Sequence, residues 1–394
     1  NDGAGLSDLS KLLAFTQSAT GGAVNGYTFK LANDLNMSNA TTAYLPYFGA
    51  TELKGNTYSV NSFTFTRATA HTGFLGAVYK STLTDLKVAN ATVLTGLEYV
   101  GTAVGSAYNA IISGGVGTLA VDVSGTNYIG GYAGYVGQSV MYNTDSFQAP
   151  ATTAKVTNIN STNTNVTPST GYAGGLVGWM EGVAATDLGS NLPVNGTNRV
   201  GGLIGYYNSG YAPNNANVTN NLGTLLTASG AVTASGQYAG GLIGQYSFSP
   251  SVSVTTDVTN LSYSNASGTV TSTSNYVGGL IGSANGSVFD NLSASGAVTQ
   301  SSGSQVGGLI GVFSTFYNGW TGLNYGGKLT NSTATGNVTG SGSGYTGGLI
   351  GNTTGTSVDN GNATGLVTGN GQYVGGLVGS SSSVISNTIP HRCM

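Results

Sequence analysis

Apolar positions in this chain come in short bursts, and the bursts repeat. Runs of the form Tyr-Val-Gly-Gly-Leu-Ile-Gly occupy Tyr172–Gly178, Arg199–Gly205, Tyr238–Gly244, Tyr276–Gly282, Gln305–Gly311, Tyr345–Gly351 and Tyr373–Gly379. Degenerate copies precede them at Thr72–Gly76, Tyr99–Gly105 and Tyr128–Gly134. Their last glycines step by 29, 29, 44, 27, 39, 38, 29, 40 and 28 residues, spacings typical of solenoid units. Between copies lie weaker patterns such as Ser287–Val298, Leu329–Val338 and Ser357–Val367, each a short alternating run, a Gly, and a second alternating run. Period-2 alternation predicts strands, and no helix-length stretch separates them, which excludes βαβ units. The unit therefore reads as three short strands joined by turns. Parallel strands normally need a long crossover. Continuous coiling with tight corners meets that need, so the expected fold is all-β, a parallel β-helix. A propeller needs about four strands per ~40–45 residues, and the shortest steps leave no room for them.

The paired glycines call for a cause, because Gly weakens a strand unless the backbone bends, bulges or closely approaches something. Strict alternation in Tyr-Val-Gly-Gly-Leu-Ile-Gly leaves both faces apolar. Two readings stand, a bulge at the pair or a second layer over the sheet. Stacked Leu and Ile would each contribute roughly 1.5–3 kcal/mol of burial, offset by ordering entropy.

Composition fits this picture. Gly occurs 66 times in 394 residues, charged residues make up 6% and hydrophobic ones 39%, with 23 Tyr and 11 Phe. That apolar content is enough for a folded chain, and no G-X-Y period suggests collagen. Ser, Thr and Asn supply the polarity, suiting turns and pleated surfaces. A net charge of −3 gives no electrostatic footprint for nucleic acid. Cys393 stands alone, so neither an internal disulfide nor a cysteine metal site is available. No apolar run approaches the ~20 residues of a membrane span, so no membrane insertion is expected.

The repeated motif resembles the GLUG repeat of large bacterial surface and secreted proteins, including adhesins similar to filamentous haemagglutinin and some IgA-specific proteases. The segments Leu6–Leu13, Tyr27–Asn36 and Leu53–Val60 resemble the stretch that precedes such repeats. The resemblance covers nearly the whole chain, with the first three copies departing from the consensus. It implies a secreted or cell-surface protein. It also implies that any catalytic unit of a protease of this class lies outside these residues.

The organisation expected is a capping segment over residues 1–66, the repeat solenoid over 67–388, and a tail at 389–394 that matches no repeat position. Leu6, Leu9, Leu12 and Leu13 share one face of a short N-terminal helix, either a lid for the first rung or an ordinary leading helix. No comparable lid follows Asn387, so the last rung is expected to offer unpaired backbone groups for head-to-tail self-association.

Candidate chemistry is thin. Longer units carry loops at 137–168, 247–262 and 313–327. The last of these holds Phe313, Phe316, Tyr317, Trp320 and Tyr325. Phe316, Tyr317, Trp320 and Tyr325 are the candidate contacts for a host or matrix glycan or protein, unless these rings fold back over the solenoid. Asp85, Asp122, Asp257, Asp290 and Asp359 fall at loosely similar repeat positions, as turn-stabilising residues or as a calcium-binding ladder. Glu181/Asp187 and Asp2/Asp8 are the nearest acid pairs, and neither reads as a glycosidase dyad. His71 and His391 lack the partners of a triad or a zinc site. No catalytic residue, metal or cofactor is assigned. Thr269/Thr271 and Thr333/Thr335 hint at a surface-binding face for glycan or ice, although such pairs do not recur in one sequence register. The expected function is an extracellular structural or adhesive β-solenoid able to form filaments. The alternatives are a glycan- or ice-binding module and a polysaccharide-degrading β-helix.

Overall fold

The chain coils into stacked rungs of short strands. A computed structural model describes residues 26–389, except 39–44, 50, 67–69, 115–121, 147–154, 159–170, 210–221, 250–259, 320–321 and 343. One rung shows the plan, with strands at Val277–Gly278, Ile281–Asn285, Val288–Asp290, Ser293–Ala294 and Val298–Gln300. Each strand lies parallel to its counterpart in the next rung, with Val277 beside Val306, Ile281 beside Ile310, Phe289 beside Leu329, Ala294 beside Ala334 and Val298 beside Val338. The rung thus has five strand segments where the sequence pattern predicts three. Residues in left-handed conformation cut the alternating runs: Gly286 at φ 54° and Asn291 at φ 51° turn the chain, and at each the inward–outward rhythm shifts by one residue, from Ala284 to Ser287 and from Phe289 to Leu292.

The strand after the glycine pair recurs eleven times in parallel register, from Leu45–Gly49 to Val378–Ser386. At ~4.8 Å per rung this makes a stack about 50 Å long. Parallel pairing reaches back to Thr28–Lys30 and Leu35–Asn36, within the segment read as a cap. The helix expected over residues 6–15 lies outside the described residues.

Inside, equivalent side chains form columns. Leu203, Leu242, Leu280, Leu309 and Leu349 stack beside Ile204, Ile243, Ile281, Ile310 and Ile350, all fully buried. A third column, Val232, Val270, Val298 and Val338, closes the far wall.

The glycine pair is a corner, not a bulge and not a doubly covered strand. The chain turns at Gly279–Leu280, and there the Gly279 N–H donates to the Gly307 carbonyl at 3.2 Å and the Leu280 N–H to the Leu309 carbonyl at 2.9 Å. A Cβ on Gly279 would lie 2.1 Å from the Gly308 oxygen of the next rung, and one on Gly278 would lie 2.0 Å from the Ile281 oxygen. Only glycine lets the backbones come this close. The turn also explains the two apolar faces, because Val277, Leu280 and Ile281 all point inward from either side of it.

Candidate functional site

The aromatic loop is a small hairpin. Phe316–Asn318 and Leu323–Tyr325 form an antiparallel pair, the one such pair among the described residues. Phe316 and Tyr325 pack on Phe248, with ring centroids 6.2 and 5.4 Å away. Tyr325 is 3% exposed, and its hydroxyl has no hydrogen-bond partner among the described residues. Phe313 is buried and stacks on Phe289 in the core. Tyr317, 62% exposed, stays on the surface with Leu323, while Trp320 lies outside the described residues. The structure thus places Phe316 and Tyr325 in packing and leaves Tyr317 open to a partner.

A larger aromatic assembly comes from the first position of the repeat motif, which sequence reasoning passed over. His71 stacks on Tyr99 at 4.8 Å, Tyr99 on Tyr128 at 4.9 Å, and Tyr128 meets Tyr172 at 5.0 Å. The Arg199 guanidinium then sits over Tyr172 at 4.6 Å and Tyr238 at 5.2 Å, and Tyr238 stacks on Tyr276 at 4.9 Å. A second row, Tyr135, Trp179 and Tyr206, occupies one register of the adjoining face. Trp179 joins the rows, 4.9 Å from Tyr135 and 5.1 Å from Tyr128. Several polar ends are tied locally, while the buried Trp179 indole N–H has no hydrogen-bond partner among the described residues. The Tyr135 hydroxyl donates to Glu181 at 3.2 Å, Arg199 donates to Gln245, and His71 Nδ1 meets the Ser106 hydroxyl at 2.7 Å.

Burial shifts the titration of several groups here, among them Tyr128, Tyr135 and His71. It raises the Tyr128 phenol to about 12, helped by Tyr172, Tyr99 and Glu98. The Tyr135 phenol is pushed up by burial and by the Glu181 carboxylate, and burial lowers His71. Most ladder residues, among them Tyr99, Arg199, Tyr238 and Tyr276, take left-handed φ values of 47–66°. That conformation costs of order 1–3 kcal/mol for a non-glycine residue. Stacking and cation–π attraction, each about 0.5–1.5 kcal/mol, offset part of it. From Tyr99 to Tyr276 neighbouring side chains pack on one another and each ring is at least half-covered, so their contacts are spent within the ladder. It acts as a brace along one edge of the solenoid.

The acidic positions do not make a carboxylate column. Asp290 and Asp359 share a register, but Thr330 stands between them. Asp85 sits at a left-handed corner, Asp122 belongs to the strand Asp122–Gly125 on another face, and Asp257 lies outside the described residues. Asp290 accepts hydrogen bonds from Thr330 at 2.6 Å, Asn331 at 2.8 Å and Asn291 at 2.7 Å. Burial raises its pKa, and these donors together outweigh burial and hold it below the usual range. Asp359 accepts from Ser386 at 3.0 Å and Asn387 at 2.8 Å. Such carboxylates serve corners. Among the described residues no group of three or more His, Cys, Asp or Glu is placed to hold a metal ion.

Threonines are more ordered than their spacing suggests. Thr233, Thr271, Thr299, Thr339 and Thr368 stand side by side in five successive rungs. The pairs Thr269/Thr271 and Thr333/Thr335 belong to different strands of the rung, so only Thr271 joins this rank. No helix among the described residues is long and apolar enough to cross a membrane. No family model, curated protein or solved structure matches the chain.

Proposed function

We propose that this chain is an extracellular structural or adhesive solenoid of a bacterial surface protein, a rigid spacer without catalytic activity. The observation that carries the reading is the single register kept through eleven stacked strands, although the intervening loops vary in length. Such a device fixes length and stiffness and leaves loops free to differ. The surface of Ser, Thr and Asn, and the likeness of the motif to the GLUG repeat, support an exported location. Tyr317 on its hairpin is the proposed contact for a matrix glycan or protein.

The proposed partner is also a second copy, docked end to end. Among the described residues Val378–Ser386 pairs on one side only, and Val384 and Ile389 are 69% and 65% exposed. A strand edge beside exposed apolar side chains can template further pairing. Sedimentation over a range of concentrations tests this: association should rise with concentration and weaken when a charged helix is appended after Asn387. A monomer at every concentration overturns the end-to-end reading. Turnover of any member of a polysaccharide panel overturns the non-enzymatic one.

A further inference from the structure

The wall carrying the threonine rank is a two-dimensional array. In each of five successive rungs, three outward positions two residues apart flank and cross one strand, for example Ala297, Thr299 and Ser301 around Val298–Gln300. The equivalents are Ala231, Thr233 and Ser235; Thr269, Thr271 and Thr273; Asn337, Thr339 and Ser341; and Leu366, Thr368 and Asn370. Rungs repeat at ~4.8 Å and alternate residues along a parallel strand at about 6.6 Å, so the side chains form a grid. None of the positions is charged or aromatic. Thr233, Thr271, Thr299 and Thr368 are exposed, and their hydroxyls are engaged by no hydrogen bond within the described residues.

We infer that this wall binds the ordered water of an ice surface. The chemistry selects the occupant. A charged mineral needs ionic ligands, and a sugar needs open aromatic faces or converging polar groups; the array offers neither. An ice face is itself an uncharged lattice of hydrogen-bonding oxygens, with repeats of the same order as the two spacings of the grid. One exposed hydroxyl gains almost nothing by exchanging liquid water for ice, since one hydrogen bond replaces another. Affinity must come from many positions acting in register. A rigid solenoid supplies that register before contact, so little ordering entropy opposes binding. The methyl of each threonine adds an apolar contact repeating on the same grid.

The test freezes the full chain slowly onto a cold surface and measures the share taken into the ice, with inhibition of ice recrystallisation as a second readout. The wild type should enter the ice several-fold more than a non-binding protein of similar size. The double variant Thr271→Lys/Thr299→Lys should fall to the level of that protein. Thr186→Lys, on an exposed position of another face, should keep the wild-type share. Circular dichroism and melting of all three should agree, since every site is exposed. Exclusion of the wild type from ice overturns the inference, as does full partition of the double variant. Retention on a crystalline polysaccharide, lost in the double variant without any ice partition, overturns it in favour of a glycan. Sedimentation of the same samples reads end-to-end association independently, so either idea can fail alone.

Discussion

At the scale of single residues, the fold depends on atoms that are absent and on hydroxyls that close corners. Gly308 illustrates the first: a Cβ there would lie 2.1 Å from the backbone oxygen of Gly348, which cannot retreat without moving a whole rung. Gly308→Ala should therefore destabilise the chain by about 1–3 kcal/mol, the usual range for overpacking. Gly319→Ala is the control, because an added Cβ there meets nothing within 4 Å. Equal melting temperatures for the two variants would refute the steric account. Buried serines illustrate the second device. Ser332 donates to the Thr330 carbonyl at 2.7 Å and accepts from the Leu292 N–H of the neighbouring rung at 3.1 Å, and Ser264 does the same for Ser262 and Leu226. Each satisfies two backbone groups that a corner leaves without ladder partners. Composition alone suggests that serines lie on the surface, but these two are buried.

At the scale of elements, the repeat spacing makes the stacking legible, but not the shape of the rung. The break at Gly268, between Asn265–Ala266 and Val270–Ser272, is marked by its glycine, whereas the break at Asn291, between Val288–Asp290 and Ser293–Ala294, has no glycine to mark it, so one strand is expected where the backbone bends and starts another. The threonine rank is hidden for a related reason. Thr233, Thr271, Thr299, Thr339 and Thr368 are unevenly spaced in sequence because loop residues vary, while hydrogen bonding restores one register. The aromatic ladder was visible only as a recurring Tyr, with nothing to mark His71 and Arg199 as members. Its burial gives the solenoid a pH limit. Tyr128 titrates near 12 when folded against about 10 in an unfolded chain, so folding favours the neutral phenol. That contribution is complete below about pH 10 and is lost as pH rises through the folded value. Asp290 works in the opposite sense, its lowered pKa contributing above about pH 4 and failing in acid. Ultraviolet titration of the wild type and of Tyr128→Phe, followed alongside circular dichroism, should show ionisation of Tyr128 coinciding with unfolding. Complete phenolate formation near pH 10 with the fold intact would contradict this assignment.

At the scale of the molecule, a stack held by neighbour-to-neighbour contacts should tolerate a change in rung number and reject a change in register. Val104 lies directly above Leu75, so removing Gly76–Val104 joins Leu75 to Gly105 and excises one rung. Every remaining strand then meets a register equivalent to its old one: Leu75 is followed by Gly105 as it was by Gly76, and His71 comes to face Tyr128 in place of Tyr99. The shortened chain should fold, keep its β-sheet circular dichroism, and unfold with a urea m-value lower by about one rung in eleven, because m follows the surface exposed on unfolding. Removing only Asn90–Val104 deletes part of a rung. It joins Ala89, on one wall, to Gly105, on another. No later strand can then pair in register with an earlier one without burying outward positions, so this variant should lose cooperative unfolding over the break. Equal stability of the two deletions would mean that contacts other than the rung register hold the solenoid together.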